Sequence, residues 1–331
     1  MRYERCYVTN KSSRFFVLSK NEKELSNMEV SRHAHLLHNP KAGDGDHMKE
    51  ELMQTIVSCG FTCQYSSTKE KQWGRLKAKT ALVVIAGGDG TVRQVMKRLL
   101  ARRLLDKRLT VAILPAGTAN NFAKTLGASS ALAGLSRTIA EWNVKKIDVG
   151  AISNVPDANF FLEGAGMGIF PKLIKEMKET DHNEVETADD ELDVALDKLI
   201  EITERYTPKW ARITVDGVLY EGDYLLVEVL NIKSVGPNLE LAPQADPTDG
   251  KFQVALLKEA DRDAFLKYLH ALKKPTSKKR LNLPLQLIEA RQEITITADN
   301  RLIHVDDELI AIKRRRLIKV EVRPGIIDVI V

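Results

Sequence analysis

The residues with the most chemical promise are acidic and sit beside glycines. Asp89 lies in Gly87-Gly88-Asp89-Gly90-Thr91, directly after the apolar run Ala81–Ala86. Asp306, Asp307 and Glu308 lie together near the carboxyl end, in HVDDELI. Glycines let a backbone approach a ligand closely and adopt dihedrals that other residues avoid. Where such a turn joins a buried strand to a helix, free N–H groups and the positive end of the helix dipole make a site for phosphate. A carboxylate in that place repels phosphate. Asp89 therefore makes sense with a Mg²⁺ between them or as a group that orients a nucleophile. The plain alternative is a strand–helix turn with Asp89 as its N-cap. Read as a strand, HVDDELI puts Asp306 and Glu308 on one face, where a carboxylate could take the proton of an attacking alcohol; the alternative is an acidic hairpin turn.

Two further loops resemble the first. NPKAGDG (39–45) and PAGTANNF (115–122) each follow a strand-like run. Three strand ends carrying Gly, Asn, Thr and Pro side by side would build one composite phosphate cradle. The chain contains no G-x-x-x-x-G-K-[ST], and GGDGTV lacks the G-x-G-x-x-G order, so neither a P-loop nor a dinucleotide fingerprint is present. His33, His35 and His38 read as packing or surface residues rather than a metal site. Cys59 and Cys63 lack the second pair that a zinc site needs.

The elements that must position these residues follow from pattern. HAHLLHNP, ALVVIAG and LTVAILPAGT are strands running into turns, and HMKEELMQTIVSCG, TVRQVMKRLLARR and ANNFAKTLG are helical. Strand, loop and helix in repetition mean a parallel sheet with crossover helices. Beyond about Lys146 the runs become strand-like and closely spaced, with a hairpin signal in VDGVLYEG. The expected fold is thus an α/β amino-terminal domain with a parallel sheet, over 31–147, followed by a mostly-β sandwich domain over 148–321. Residues 322–331 are candidates to return to the first sheet. Residues 1–30 show no period and have no assigned role. Lys172–Tyr206 reads as one long helix covering the β domain, with a lid or a homodimer arm as the alternative.

The 331 residues carry a net charge of +5, with 44% hydrophobic and 6% aromatic residues. The charge permits an anionic partner without demanding one. Basic clusters at Lys97-Arg98, Arg102-Arg103, Lys107-Arg108, Lys278–Arg280 and Lys313–Arg316 are read as solvated surface, or as transient contacts with an anionic membrane. Aromatics do not interleave with them, so nucleic acid is not an expected partner. No apolar run reaches the length of a membrane span, and three cysteines make no disulfide framework. A cytoplasmic protein, peripheral to the membrane, is expected.

Over residues 33–331 the motifs occur in a recognisable order: NPKAG, Thr68, GGDGT, PAGTANNFA, the glycines of GAGMG, GPNLELAPQADPTDGKF and VDDE. In this the chain resembles the diacylglycerol-kinase-like lipid kinases, related to sphingosine and ceramide kinases. GGDGT alone is shared with NAD kinases and phosphofructokinases, but its combination with GTANNFA and APQAD…DG is specific. The resemblance implies ATP bound between the two domains, Mg²⁺, and a lipid substrate with a free hydroxyl. By match, Asn39, Pro40, Lys41, Ala42, Gly43, Thr68, Gly87, Gly88, Asp89, Gly90, Thr91, Val92, Arg93 and Thr118 would meet the nucleotide. Asp249 matches a structural Mg²⁺ ligand, helped by the backbone carbonyls of Asp246 and Lys251. Asp306 and Glu308 match the acidic pair of the family's Asp-Gly-Glu, one of them the general base. The chain departs from the family at Arg93-Gln94, where Asn-Glu is common, at Phe170, where many members have aspartate, and at Asp307, which replaces glycine. An NAD-kinase-like enzyme is the alternative, disfavoured by the absent GSTAY-type segment. A non-catalytic nucleotide-binding regulator is another, motivated by Gln94 and Phe170.

Overall fold

The computed structural model describes residues 32–42, 49–71, 73–100, 109–117, 119–179, 188–236, 239–273 and 283–331. Gly43, Thr118, residues 1–30 and the basic clusters at 102–103, 107–108 and 278–280 lie outside these. Four strands, β1 (Arg32–His38), β2 (Phe61–Ser67), β3 (Thr80–Gly87) and β4 (Thr110–Pro115), run parallel in the order β2-β1-β3-β4. The interior of β3 and β4 is almost continuously buried, as a sheet covered on both faces requires. Helix α1 (Lys49–Ser58) buries Leu52 and Ile56, α2 (Asp89–Leu100) buries Val92, Val95 and Met96, and α3 (Asn121–Leu126) and α4 (Leu132–Glu141) complete the cover. Two apolar clusters flank this sheet, one around Val83, Ile85 and Phe122, the other around Leu36, Val84 and Leu114.

The chain then enters antiparallel structure: β5 (Val144–Ser153), β6 (Phe160–Phe161), β7 (Gly164–Gly168), β8 (Lys209–Val215), β9 (Val218–Leu230), the short β10 (Ser234–Val235) and β11 (Leu239–Glu240), β12 (Phe252–Lys258), β13 (Gln286–Ala290), β14 (Glu293–Ala298), β15 (Leu302–Val305), β16 (Glu308–Ala311) and β17 (Ile318–Ile330). Here the pattern alternates, as β14 shows with Ile294, Ile296 and Ala298 inward and their neighbours half-buried. The hairpin read from VDGVLYEG is present. Asp216 and Gly217 both have positive φ, +46° and +89°, which a two-residue turn matched to strand twist demands.

The parallel and antiparallel parts are continuous. β17 pairs antiparallel with β14 through Ile318–Glu321 and parallel with β4 through Asp328–Ile330, while β5 runs antiparallel along its length. Gly325, at φ +61°, lies in the irregularity that separates the two stretches.

The stretch Lys172–Tyr206, expected as one helix, contains two, α5 (Ile169–Glu179) and α6 (Ala188–Arg205), with residues 180–187 outside the description. Both bury apolar stripes in one cluster, Phe170 and Leu173 from α5 with Leu199 and Ile200 from α6. Two helices side by side cover a wider area of sheet than one straight rod. α7 (Arg262–Leu272) adds Phe265 and Leu269 to the same layer.

Candidate active site

The glycine loops converge as their sequence suggests. Asn39, at the end of β1, donates from Nδ2 to Thr91 Oγ1 at 3.1 Å, and its own N–H bonds Ala86 O. Pro40, Lys41 and Ala42 continue that turn, and Lys41 N bonds Asn39 Oδ1. Thr68, buried at the end of β2, donates its N–H to His38 O. Ala116 N bonds Gly87 O, and a Cβ at Gly117 would come within 2.5 Å of Gly88 Cα. That close approach requires the glycines.

Asp89 holds the assembly. Its Oδ2 accepts from Asn121 N at 2.9 Å and its Oδ1 from Phe122 N at 3.2 Å. Asp89 begins one helix and caps the N-terminus of another, locking PAGTANNF onto GGDGT. Burial raises its pKa, opposed by the two amides, and Asp307 adds repulsion. Within α2, Val92 is buried in the core and Gln94 is exposed, while the Arg93 side chain is buried against the late acidic segment.

Arg93 meets the late acidic segment. Its Nε donates to Asp306 Oδ2 at 2.8 Å, its Nη1 pairs with Glu308, and Asp307 lies 3.8 Å away. Asp306 and Glu308 do not lie along one strand. Asp306 and Asp307 form the two-residue turn between β15 and β16, whose last pair is Val305 and Glu308, and Asp306 has φ +52°. The hairpin alternative therefore holds, and Arg93 reunites the two carboxylates that the turn separates. Asp306 Oδ1 also accepts from the amides of Leu162, Glu163 and Gly164 at 2.9–3.3 Å. Burial raises the Asp306 pKa, opposed by Arg93 and these amides. Glu308, pushed up by partial burial, is nonetheless held below its ordinary value by its bond to Arg93.

Asp306 and Asp307, but not Arg93 or Glu308, border a cleft of about 180 Å³. Its lining combines four acids, Asp89, Glu163, Asp306 and Asp307, with the apolar Phe170, Leu173, Ile174 and Val235. Asn121 also lines it, and its buried Oδ1 has no hydrogen-bond partner among the described residues. Glu163 was not singled out from sequence. No hydrogen bond reaches its carboxylate among the described residues, and burial followed by repulsion from Asp89, Asp306 and Asp307 pushes its pKa well up. A lone acid between FFL and GAGMG was the available signal.

Asp246, Asp249 and Lys251 do not line this cleft. Their loop wraps around Asp148, another residue not singled out, whose carboxylate accepts from Gly250 N at 2.6 Å and Gly325 N at 2.8 Å. Asp246 Oδ1 accepts from the Thr248 hydroxyl and amide, and Asp249 Oδ1 from Lys251 N. The Lys251 ammonium is 3.1 Å from Glu289 and 3.9 Å from Asp249. Among the described residues, no three His, Cys, Asp or Glu are grouped to hold a metal.

A parallel sheet with a glycine-lined helix N-terminus, joined by one strand to a β-rich half that supplies carboxylates, defines a phosphotransferase-like architecture. Residues 33–152 match the family model of the diacylglycerol kinase catalytic domain, and residues 177–331 match that of the YegS C-terminal NAD kinase beta sandwich-like domain. The chain belongs to the diacylglycerol-kinase-like lipid kinase family. It is 27% identical over 246 residues to a diacylglycerol kinase of Bacillus subtilis (strain 168), covering 71% of this chain and 77% of that one. It is 23% identical over 240 residues to a diacylglycerol kinase of Staphylococcus carnosus (strain TM300), covering 70% and 74%. A crystal structure of a diacylglycerol kinase from Bacillus anthracis str. Sterne has the same fold, with TM-score 0.64 and 23% identity over 90% of this chain and 96% of that one.

Proposed function

We propose that the chain transfers the γ-phosphoryl group of ATP to the free hydroxyl of a lipid, with diacylglycerol as the first acceptor to test. The mixed cleft carries this reading: its acids include Asp89 of the glycine cradle, and its apolar residues suit the hydrocarbon next to an acceptor hydroxyl. The free amides at the start of α2 suit the phosphates, with the Asn39 and Ala116–Asn121 loops beside them.

The donors at the cleft suit a divalent cation. Asp89 and the unpartnered Asn121 Oδ1 are hard oxygens, and Mg²⁺ needs only one or two protein ligands when phosphates and water supply the rest. Bound there, Mg²⁺ would neutralise phosphate charge. A second cation on Asp249 and the carbonyls of Asp246 and Lys251 would rest mainly on backbone oxygens.

Asp306 and Glu163 border the cleft, whereas Glu308 does not. The hydroxyl proton passes to this carboxylate pair, whose pKa values burial raises, making it a stronger base than a free carboxylate. Arg93 keeps Asp306 in place and offsets its charge. Reaching a lipid requires transient contact with a membrane surface, since among the described residues no helix is long and apolar enough to cross one. Lys313–Arg316, all exposed, lead into the exposed Leu317 and suit such contact.

Incubation with γ-labelled ATP, Mg²⁺ and lipids in mixed micelles, beside Asp89→Asn and Asp306→Asn, tests the reading. Label should enter one lipid class and be lost in both variants. ATP binding without transfer to any lipid would overturn it, in favour of the non-catalytic regulator, and label entering NAD would favour the soluble-substrate enzyme.

A further inference from the structure

Two charged residues interrupt strands that are otherwise apolar: Glu228 in LLVEVL and His304 in LIHV. Both are buried. An unpaired charge in such a place is costly, and the strand register brings these two together. β7 lies between β9 and β15, with Gly166 paired to Glu228 on one side and to His304 on the other. The three residues form one row across three strands. Its outer members are two strand spacings apart, roughly 9.6 Å. They meet over the middle position because it is glycine: a Cβ on Gly166 would collide with the Glu228 carboxylate.

His304 Nε2 lies 2.8 and 2.9 Å from the two carboxylate oxygens of Glu228, and Nδ1 lies 2.8 Å from the backbone O of Asp306. A carbonyl oxygen has no proton to give, so Nδ1 carries one and donates it. Glu228 is compatible with this assignment and holds the ring through Nε2. Whether the proton between them sits on Nε2 or on the carboxyl, Nδ1 keeps its own. Phe170 closes the arrangement with its ring edge-on to the imidazole, centroids 6.4 Å apart at 79°. The aspartate that many family members carry at that position would add a further charge beside the pair.

The carbonyl held by His304 belongs to the turn residue with φ +52°, a conformation uncommon outside glycine. The same residue directs its side chain to Arg93 and the 162–164 amides. Any rotation of the Asp306 backbone would swing that carboxylate out of the cleft wall. We propose that Glu228 and His304 form a positioning pair, in which Glu228 holds the imidazole and its Nδ1–H holds the Asp306 carbonyl, thereby setting the Asp306 carboxylate and Arg93 for phosphoryl transfer. This rests on the function proposed above. The charged groups that act on His304 are Glu228 from β9 and Asp306 from its own hairpin. Burial alone lowers the His304 pKa, and these two raise it above its ordinary value.

The test uses the different reach of two amides. The Asn side-chain N falls near the place of His Nδ1, and that of Gln near Nε2. Both replacements are made in a Glu228→Gln background, which removes the buried charge. His304→Asn should keep kcat within about threefold of that background, and His304→Gln should lose about tenfold or more, with the ATP KM unchanged in both. Equal kcat in the two overturns the proposal. ¹⁵N-histidine NMR of the unmutated protein needs no turnover and should show His304 Nδ1 protonated at neutral pH; a bare Nδ1 overturns it. Should the unmutated protein phosphorylate no lipid, the functional reading fails while the NMR result still decides where the proton lies.

Discussion

Replacing Arg93 with Met keeps most of the side chain's volume and removes the cation that joins α2 to the β15–β16 hairpin. The two carboxylates it leaves behind differ. The Asp306 side chain is 2% exposed and that of Glu308 is 43% exposed. Glu308 recovers water, so its share of the loss is under about 1 kcal/mol. Asp306 cannot, and breaking one side of a buried pair costs about 3–5 kcal/mol. Because Asp306 keeps its three amide donors, the low end applies, and the variant should lose about 3 kcal/mol, a large part of the 5–15 kcal/mol typical of a folded protein. Urea unfolding at neutral pH should show a lower midpoint with unchanged slope. The pH dependence has a definite sign. Without Arg93, the folded-state pKa of Asp306, already raised by burial, rises further above its unfolded value. The penalty is therefore fully present above that raised value and shrinks as pH falls through it, so the gap to the unmutated protein should narrow as the pH is lowered. Adding Asp306→Asn should restore about 2 kcal/mol of the loss by removing the stranded charge. A loss under about 1 kcal/mol, or one that Asp306→Asn leaves unchanged, would show that Arg93 does not compensate Asp306.

Other perturbations separate the neighbouring contacts. Asp89→Asn should lower kcat/KM for ATP by about 10²-fold through misplacement of the Asn121 and Phe122 amides; unchanged steady-state kinetics would refute that role. Gly166→Ala should cost about 1–3 kcal/mol or more from overpacking against Glu228, whereas Gly127→Ala, at φ +80° with open space around it, should cost only about 1 kcal/mol. Thermal unfolding of the two side by side decides whether the collision or the backbone angle matters. Glu163→Gln should raise the urea midpoint at pH 8 and leave it nearly unchanged at pH 4. The folded-state pKa of Glu163 is raised, so its carboxylate destabilises the fold increasingly as pH rises, and Gln escapes this. A lower midpoint at pH 8 would contradict the crowding of carboxylates at the cleft.

What the sequence reveals about this site depends on how far apart the partners lie. ALVVIAGGDGT is one strand, one turn and one helix start, and each step has a local cause, so the loop and its place at a strand end were readable. VDGVLYEG was readable because a two-residue turn needs positive φ at adjacent positions, and Asp-Gly supplies it. The bond between Arg93 and Asp306 joins residues 213 positions apart, and no local pattern encodes it; in the sequence Arg93 reads as a nucleotide contact and as a departure from the family's Asn-Glu, not as the partner of Asp306. Asp306 was misplaced on a strand face because its turn lacks the glycine that usually marks one, so the hairpin stood only as the alternative.

Glu228 and His304 differ again, since the signal was present and unread. A single charge inside LLVEVL or LIHV breaks a run that is otherwise fit for complete burial, and such a charge must find a partner or shift its protonation. Two of them in one chain are candidates for each other, and a glycine in the strand between is what a row of three requires. On this view the departures belong together: Arg93 supplies the cation that Asp306 and Glu308 share, Phe170 supplies an apolar face beside the buried pair, and Gly166 leaves the pair room. The Gln94 departure lies outside this set, because Gln94 is exposed and does not line the cleft. An altered acidic hairpin supported from two sides, by Arg93 at its carboxylates and by His304 at its backbone, is a rearranged site with its parts still in register, and that argues for retained chemistry over a regulator that has lost it.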